Sequence, residues 1–431
     1  MKLSSSFWRG LVTPFFFMSL THCISRRPLV PSPPLESAIP VEISPPPPSP
    51  YRTKWDLWTH DTLLRGANIW QKRIDPEIDE LAFGKGSIGP PYSQADLNGL
   101  SALGANYVNL SLPGLFTEEP PYHLDEAAQK NLDRWLDRCT KADLFVVISF
   151  RTGPGRNEAG FDEGQRRRAV HKVWKSEEAQ DAWVTMWRYT AKRYAKSSVV
   201  VGYHLMVEPN ANAVWLTADT PEKFYSEHQN SLYDWNPLAK RVSEAIREGD
   251  ENTPILISAM NYGNVGWLGL VKVPHLPRIV LNFHFYEPYR YTHYEGKGKG
   301  LSYPGKGDVD GDGIPETIDR AWLDARLFGA KVVKRALGIP ISVGEFGTMR
   351  WEPGAEKYLE DTLSLFEGLG LNHAIWLWES SLPSITYDQF NYRRGKNSDQ
   401  HQDILSNELL KVLKRNWKRN AIRPSGVAVW R

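Results

Sequence analysis

The sequence predicts an α/β fold, a (β/α)8 TIM barrel, from three observations: eight short β-rich runs, amphipathic helical stretches between most of them, and near-continuous hydrophobicity along each run. Strands read as unbroken apolar runs when both faces are buried, as happens when parallel strands are wrapped by helices. A barrel is the economical way to close eight such units. The alternative is an open doubly wound sheet, but no glycine-rich phosphate fingerprint follows the first run.

In chain order the runs are LLRGANIW from Leu63, NYVNLSLP from Asn106, LFVVISFR from Leu144 and VVVGYHLMVEP from Val199. PILISAM follows from Pro254, IVLNFHFYEP from Ile279, PISVGEFGT from Pro340 and AIWLWES from Ala374. AAQKNLDRWLDRCTKA from Ala127 and EEAQDAWVTMWRYTAKRYA from Glu177 carry apolar residues at helical spacing between them. Cys139 lies in the first of these helices and reads as a small core residue. The basic stretch KVLKRNWKRNAIRP near the C-terminus reads as a solvated helix face packed on the barrel.

The segment before the barrel has a different character. Residues 1–23 join basic Lys2 and Arg9 to an apolar stretch from Leu11 to Leu20, the pattern of an export segment. Its end, Leu20-Thr21-His22-Cys23, resembles a bacterial lipoprotein box, with His22 where a small residue is usual. The resemblance implies a lipid anchor at Cys23; the alternatives are a simple cleaved signal or an uncleaved anchor. Residues 24–50 are proline-rich and read as an extended spacer. Residues 51–431 then form the barrel, and the protein is expected in the cell envelope, membrane-tethered or secreted.

Composition narrows the partners. A formal net charge of +2 over 431 residues gives no reason to expect nucleic acid. Seventeen Trp and eighteen Tyr supply flat amphipathic rings suited to sugar faces, although core packing also uses them. No zinc spacing, P-loop or GxSxG elbow appears, and catalysis is expected to need no cofactor.

The C-terminal strand ends of a barrel build its active face. Here they offer Asn68, Trp70, Asn109, Arg151, Glu208, Asn261, His284, Tyr286, Glu345 and Trp378. Glu208 and Glu345 leave the fourth and seventh strands on opposite sides of one mouth. Paired carboxylates in one cleft are the working parts of glycoside hydrolysis, one protonated for the leaving oxygen and one ionised toward the anomeric carbon. A single strand-end glutamate reads as an ion pair, a lone His284 as a core histidine, and Tyr286 or Trp378 as packing aromatics. Together at these strand ends they read as a site.

In that order, LMVEP with Glu208, HFY with His284 and Tyr286, GEFG with Glu345 and WLWES with Trp378 resemble the cellulase-like glycoside hydrolase family 5 of clan A, over about residues 63–380. The resemblance implies a retaining mechanism on β-linked glycans of the β-glucan or β-mannan type, with endo cleavage favoured. It implies Glu208 as general acid/base, Glu345 as nucleophile, His284 and Tyr286 as groups that hold and tune the pair, and Trp378 as a platform for the sugar before the scissile bond. Asn68, Trp70, Asn109 and Arg151 complete the expected substrate-binding set. The chain departs from the family at Val207, where Asn is usual, at Asn109, where Arg is usual, and at Arg151, where His is usual. Arg151 is expected to reach across to Glu345 and supply the missing guanidinium. These departures keep two alternatives open, a non-catalytic carbohydrate-binding surface lipoprotein and a transglycosidase.

A second signal lies in an insertion at about residues 295–320. DVDGDGIPETID sets Asp308, Asp310 and Asp312 at alternate positions, Gly313 at a turn, Ile314 to offer a carbonyl and Asp319 in the twelfth place. That spacing suits a structural Ca2+, which takes six to eight oxygens. The alternative is a solvated acidic turn.

Overall fold

Eight strands close the barrel: β1 (Arg65–Trp70), β2 (Tyr107–Pro113), β3 (Phe145–Thr152), β4 (Val200–His204), β5 (Ile255–Ser258), β6 (Ile279–Phe285), β7 (Ile341–Phe346) and β8 (Asn372–Ile375). Seven match the apolar runs closely, β8 starts two residues before its run and shares only Ala374 and Ile375 with it, and all pair in parallel, with β1 beside both β2 and β8. The computed structural model describes residues 51–430 apart from residues 78, 84, 162–167, 215–219, 294–299, 382–387 and 428–429. The expected export segment at residues 1–23, the expected linker at 24–50 and part of the glycine-rich loop after β6 therefore lie outside the described residues. Among the described residues no helix is long and apolar enough to cross a membrane.

Helices α1 (Gln94–Ala102), α2 (Glu126–Lys141), α3 (Glu177–Tyr194), α4 (Trp235–Arg247), α5 (Phe328–Leu337), α6 (Ala355–Gly368) and α7 (Glu408–Trp417) cover the strands. Their starts are set by side chains that accept otherwise unpaired amide protons: Ser93 in a capping box with Asp96, Asp125 on α2 and Ser176 on α3. The helices take up most of the aromatic surplus. Trp135, Trp183, Trp187, Trp235 and Trp417 are almost wholly buried. The indoles of Trp183 and Trp187 both donate to the Leu205 carbonyl just past β4. Helix packing on the barrel thus accounts for five of the seventeen tryptophans.

Gly66 marks where β1 meets β2, since a Cβ there would lie 1.9 Å from the Tyr107 carbonyl oxygen. Inside the barrel, a ring of polar side chains forms a floor. Ser342 donates to Asn282 at 2.8 Å, Asn282 to Ser258 at 2.9 Å, and Ser149 to Asn109. Asn109 donates to Asn68 at 2.7 Å, and Asn68 to the Gly344 carbonyl at 2.9 Å. His204 bridges the two halves, with Nδ1 3.2 Å from Ser149 Oγ and Nε2 2.6 Å from Ser258 Oγ. Burial pushes His204 down to about 3, so the ring is neutral, and the directions of its neighbours assign the Nδ1–H tautomer.

The floor corrects two expectations. Asn68 and Asn109 are fully hydrogen-bonded within the barrel and do not face a substrate. Both strands run on past them, β1 to Trp70 and β2 to Pro113, so these residues sit one layer below the mouth. The insertion after β6 is an antiparallel hairpin of Gly305–Gly307 and Glu316–Ile318 that carries the acidic loop at its tip.

Candidate active site

β4 ends at His204, and Glu208 stands in the turn beyond it with φ +54, a left-handed backbone that a non-glycine residue enters at a cost of order 1–3 kcal/mol. The turn is held on both sides. The Val207 amide donates to the Phe150 carbonyl at 2.9 Å. From below, the Arg156 guanidinium donates to the carbonyls of Val207 and Glu208, each at 2.6 Å, and of Arg151 at 3.1 Å. Hydrogen bonds to a charged group contribute about 1.5–3 kcal/mol each, enough to hold the left-handed turn. Burial and the nearby Arg151 push Arg156 down to about 9, still cationic at neutral pH.

Glu345 comes from β7, where the register against β6 shifts between Val343 and Glu345 and sets Glu345 beside His284. The Tyr286 hydroxyl donates to Glu345 Oε2 at 3.0 Å. His284 Nδ1 lies 3.0 Å from Glu208 Oε1 and 3.5 Å from Glu345 Oε2, so the imidazole stands between the two carboxylates. Each of Glu208, His284 and Glu345 offers an atom within 4.8 Å of the others. Such a trio can also suit a cation, but the Arg151 guanidinium already occupies the same space as a fixed positive charge.

Arg151 spans the cleft. Its Nε donates to Glu158 at 2.8 Å, and Nη1 lies 3.8 Å from Glu208 Oε2 and 4.0 Å from Glu345 Oε1. The guanidinium lies 3.7 Å from the centre of the Phe161 ring and 5.5 Å from that of Trp376. Burial alone would lower its pKa, but Glu158, Glu208 and Glu345 together raise it and keep it charged. The reach toward Glu345 expected from strand order is therefore present. Trp70, half-buried, donates from its indole to Glu158 at 3.2 Å and lines the same wall.

Electrostatics separates the two acids. Burial pushes Glu345 up to about 7, with His284 opposing and the Glu208 charge adding to the rise. Burial would raise Glu208 as well, but the His284 hydrogen bond and the charges of His284, Arg151 and Arg156 outweigh it and hold Glu208 below the usual carboxylate range. His284, despite burial, is raised by Glu345 and Glu208. Tyr286 is raised well above its usual range by burial and Glu345, which keeps its hydroxyl a donor. Glu345 Oε1 and His284 Nε2 are buried and make no hydrogen bond. Groups left unpaired in a polar cleft are positioned for something that enters it.

Trp378 does not face the mouth. It is 5% exposed, its indole donates to the Asp96 carbonyl at 2.9 Å, and Arg393 stacks 4.8 Å over its ring. Of the two tryptophans in this run it is Trp376 that faces Arg151, at 5.5 Å. β8 stops at Ile375; the Trp376 amide bonds Phe346 of β7, and the Trp378 amide bonds Asn68 of β1. The chain crosses the barrel edge between them, which turns Trp378 outward to the helices. Arg156, Glu158 and Phe161 were absent from the expected set. They lie after β3 in a turn and the short 3-10 helix Glu158–Phe161, too brief for a periodicity to read, and charges beside glycines at a strand exit were their only signal.

In the acidic loop, Asp308, Asp310 and Asp312 converge within the same 4.8 Å limit. Asp308 accepts from the amides of Gly311 at 2.6 Å and Gly313 at 3.3 Å, and Asp312 from Ile314 at 2.7 Å. The Gly311 bond leads the lowering of the Asp308 pKa. Asp319 is outside the cluster: it caps the next helix, accepting from the Trp322 amide at 2.9 Å. The Ile314 side chain points to solvent. Arg290 meets Asp308 at 3.3 Å and ties the loop to the segment after β6.

A family model described as Cellulase (glycosyl hydrolase family 5) matches residues 80–381. Endoglucanase C of Acetivibrio thermocellus is 22% identical over 346 residues, covering 73% of this chain and 90% of the relative. Among solved structures, Thermotoga maritima Cel5A in complex with cellobiose superposes with a TM-score of 0.59 at 19% identity, covering 84% of this chain and 99% of that one. The same protein with a mannotriose substrate gives 0.59 at 20% identity, with the same coverage. At these identities the structural likeness carries the fold.

Proposed function

We infer the reaction from a premise that the family match establishes: the chain belongs to glycosyl hydrolase family 5. It is a glycosidase that cleaves β-linked glycans with retention, and its cleavage needs no cofactor. One observation carries the chemistry: Glu208 and Glu345 offer oxygens within 4.8 Å of each other. Retaining pairs of carboxyl groups stand about 5–5.5 Å apart and inverting pairs about 6.5–9.5 Å, so this close approach of two oxygens fits the retaining arrangement that the family supplies. The binding-protein and transglycosidase alternatives are not favoured.

In the first step Glu345 attacks the anomeric carbon while Glu208 gives its proton to the departing glycosidic oxygen. In the second, Glu208 takes a proton from water, and the water oxygen displaces Glu345 from the same carbon. Tyr286 holds Glu345, and Trp376 with Trp70 offers aromatic faces to the sugar. Burial raises Glu345 while His284, Arg151 and Arg156 lower Glu208, so without substrate a proton shared by the pair favours Glu345, the reverse of what attack requires. His284 lies between them, 3.0 Å from Glu208 and 3.5 Å from Glu345, and a shift of its hydrogen bond toward Glu345 would lower that carboxyl and release Glu208 to hold the proton.

We assign the pair's titration to the pH profile of kcat/KM. Rising pH through about 7 removes the shared proton, leaving both carboxylates ionised and no general acid. Falling pH below the lowered Glu208 value protonates both and removes the nucleophile. The expected curve is a bell whose upper limb bends near 7, and activity still climbing above pH 8 would contradict it.

The substrate proposal is an endo-acting β-glucanase or β-mannanase. Support comes from the endoglucanase relative and from the cellobiose and mannotriose complexes of Cel5A. Reducing-sugar release from β-glucans, β-mannans and xylans tests it. Release from one polymer names the substrate, and binding without release from any would sink the hydrolase reading.

Two further roles are proposed. A structural Ca2+ held by Asp308, Asp310 and Asp312 is supported by the preorganised carboxylates, and would raise the melting temperature by several degrees in millimolar Ca2+ in a manner lost in Asp310→Ala. An identical melting curve with chelator would refute it. Export with a lipid on Cys23 rests on the sequence pattern, and metabolic labelling with palmitate that survives Cys23→Ala would exclude it.

A further inference from the structure

We propose that Arg156 is a positioning residue for proton donation, fixing the backbone on which Glu208 stands and so where its carboxyl meets the glycosidic oxygen. The inference rests on the reading of Glu208 as the acid/base. Arg156 lies in the loop after β3, 1% exposed, and its hydrogen bonds run to three backbone carbonyls. Two of those belong to Val207 and Glu208, the peptide units that place the acid. The third belongs to Arg151, the guanidinium that faces both carboxylates.

Glu208 makes the need for such a brace concrete. Its φ of +54 turns the side chain toward His284, and an extended residue at that point would point it elsewhere. Val207 has an apolar, fully buried side chain that can make no hydrogen bond to hold the turn. A planar guanidinium can grip two successive carbonyls at once with fixed geometry, which an ammonium cannot. Phe161 fixes the guanidinium in turn: its ring lies 4.6 Å from Arg156 on the same side chain that supports Arg151 at 3.7 Å. The acid and the cross-cleft cation are thus set by one shared support.

A structural role alone would lower every rate equally; a misplaced acid would not. The test compares kcat/KM for phenyl and 2,4-dinitrophenyl β-cellobiosides, or the matching β-mannobiosides if mannan is the polymer, in wild type, Arg156→Met and Arg156→Lys. Phenolate leaves only with a proton, whereas dinitrophenolate leaves without one. We expect the phenyl glycoside to slow by about 30–100-fold in Arg156→Met, a part of the roughly 10^2–10^4-fold that general acid catalysis supplies, and the dinitrophenyl glycoside by less than about 3-fold. Arg156→Lys should fall between and carries the test if Arg156→Met fails to fold. Equal losses for both leaving groups, or no loss, would overturn the proposal. Glu208→Ala is the control: if it shows no leaving-group dependence, the acid/base reading fails instead.

Discussion

Glu345→Ala is expected to lower kcat/KM on any glycan the protein cleaves by about 10^4-fold or more, because no other group can form the covalent intermediate. Sodium azide should restore part of the rate. It would enter the space vacated by the carboxylate and yield an α-glycosyl azide, whereas rescue of Glu208→Ala would yield the β-azide. A β-azide from Glu345→Ala would exchange the two roles. Stability should move the other way. Glu345 keeps its proton in the folded state until about 7, while an unfolded glutamate loses it near 4.3. Between those values the folded state binds more protons, so its stability falls as pH rises. The alanine variant loses that slope and should melt at the same or a higher temperature than wild type, most visibly above pH 7.

The second large effect belongs to Arg151→Met. Three carboxylates, Glu158, Glu208 and Glu345, face this guanidinium, whose side chain is 10% exposed. Removing one partner of a buried ionic cluster costs about 3–5 kcal/mol. Much of that should appear as lost transition-state stabilisation, a fall in kcat/KM of about 10^2–10^3-fold. Without the cation, both members of the pair become harder to ionise, so the acid limb of the bell should move up in pH. Arg151→Lys keeps a charge but not the fork, and should recover the limb better than the rate. Unchanged turnover in Arg151→Met would refute the cross-cleft role.

The difference between what the sequence disclosed and what it hid follows from depth and direction. Eight apolar runs sufficed for the barrel, because burial on both faces leaves a signature in each strand independently. Glu208, His284, Tyr286 and Glu345 were legible as polar residues breaking such runs at their exits. Asn68 and Asn109 break runs too, but earlier in the strand, and composition does not say how far a strand continues. Trp378 and Trp376 share one run and one alternation. Only the path of the chain after β8 separates them. Asp319 fits a metal spacing and a helix cap equally well, and the helix that follows it decides. Arg156 and Glu158 depend on loop geometry, which no periodic pattern encodes.

The floor of the barrel has a further electrical consequence. Donation passes from Ser342 through Asn282, Ser258, His204, Ser149, Asn109 and Asn68 to the Gly344 carbonyl, so the bonds run one way round the barrel and both ends lie in β7. Hydrogen bonds arranged head to tail polarise and reinforce one another along their chain. The floor is therefore polarised along the chain of bonds rather than by a charge aimed at the mouth above. The field felt by a developing oxocarbenium ion is left to Arg151, His284 and the two glutamates, and substitutions among them can retune the reaction without disturbing the ring beneath.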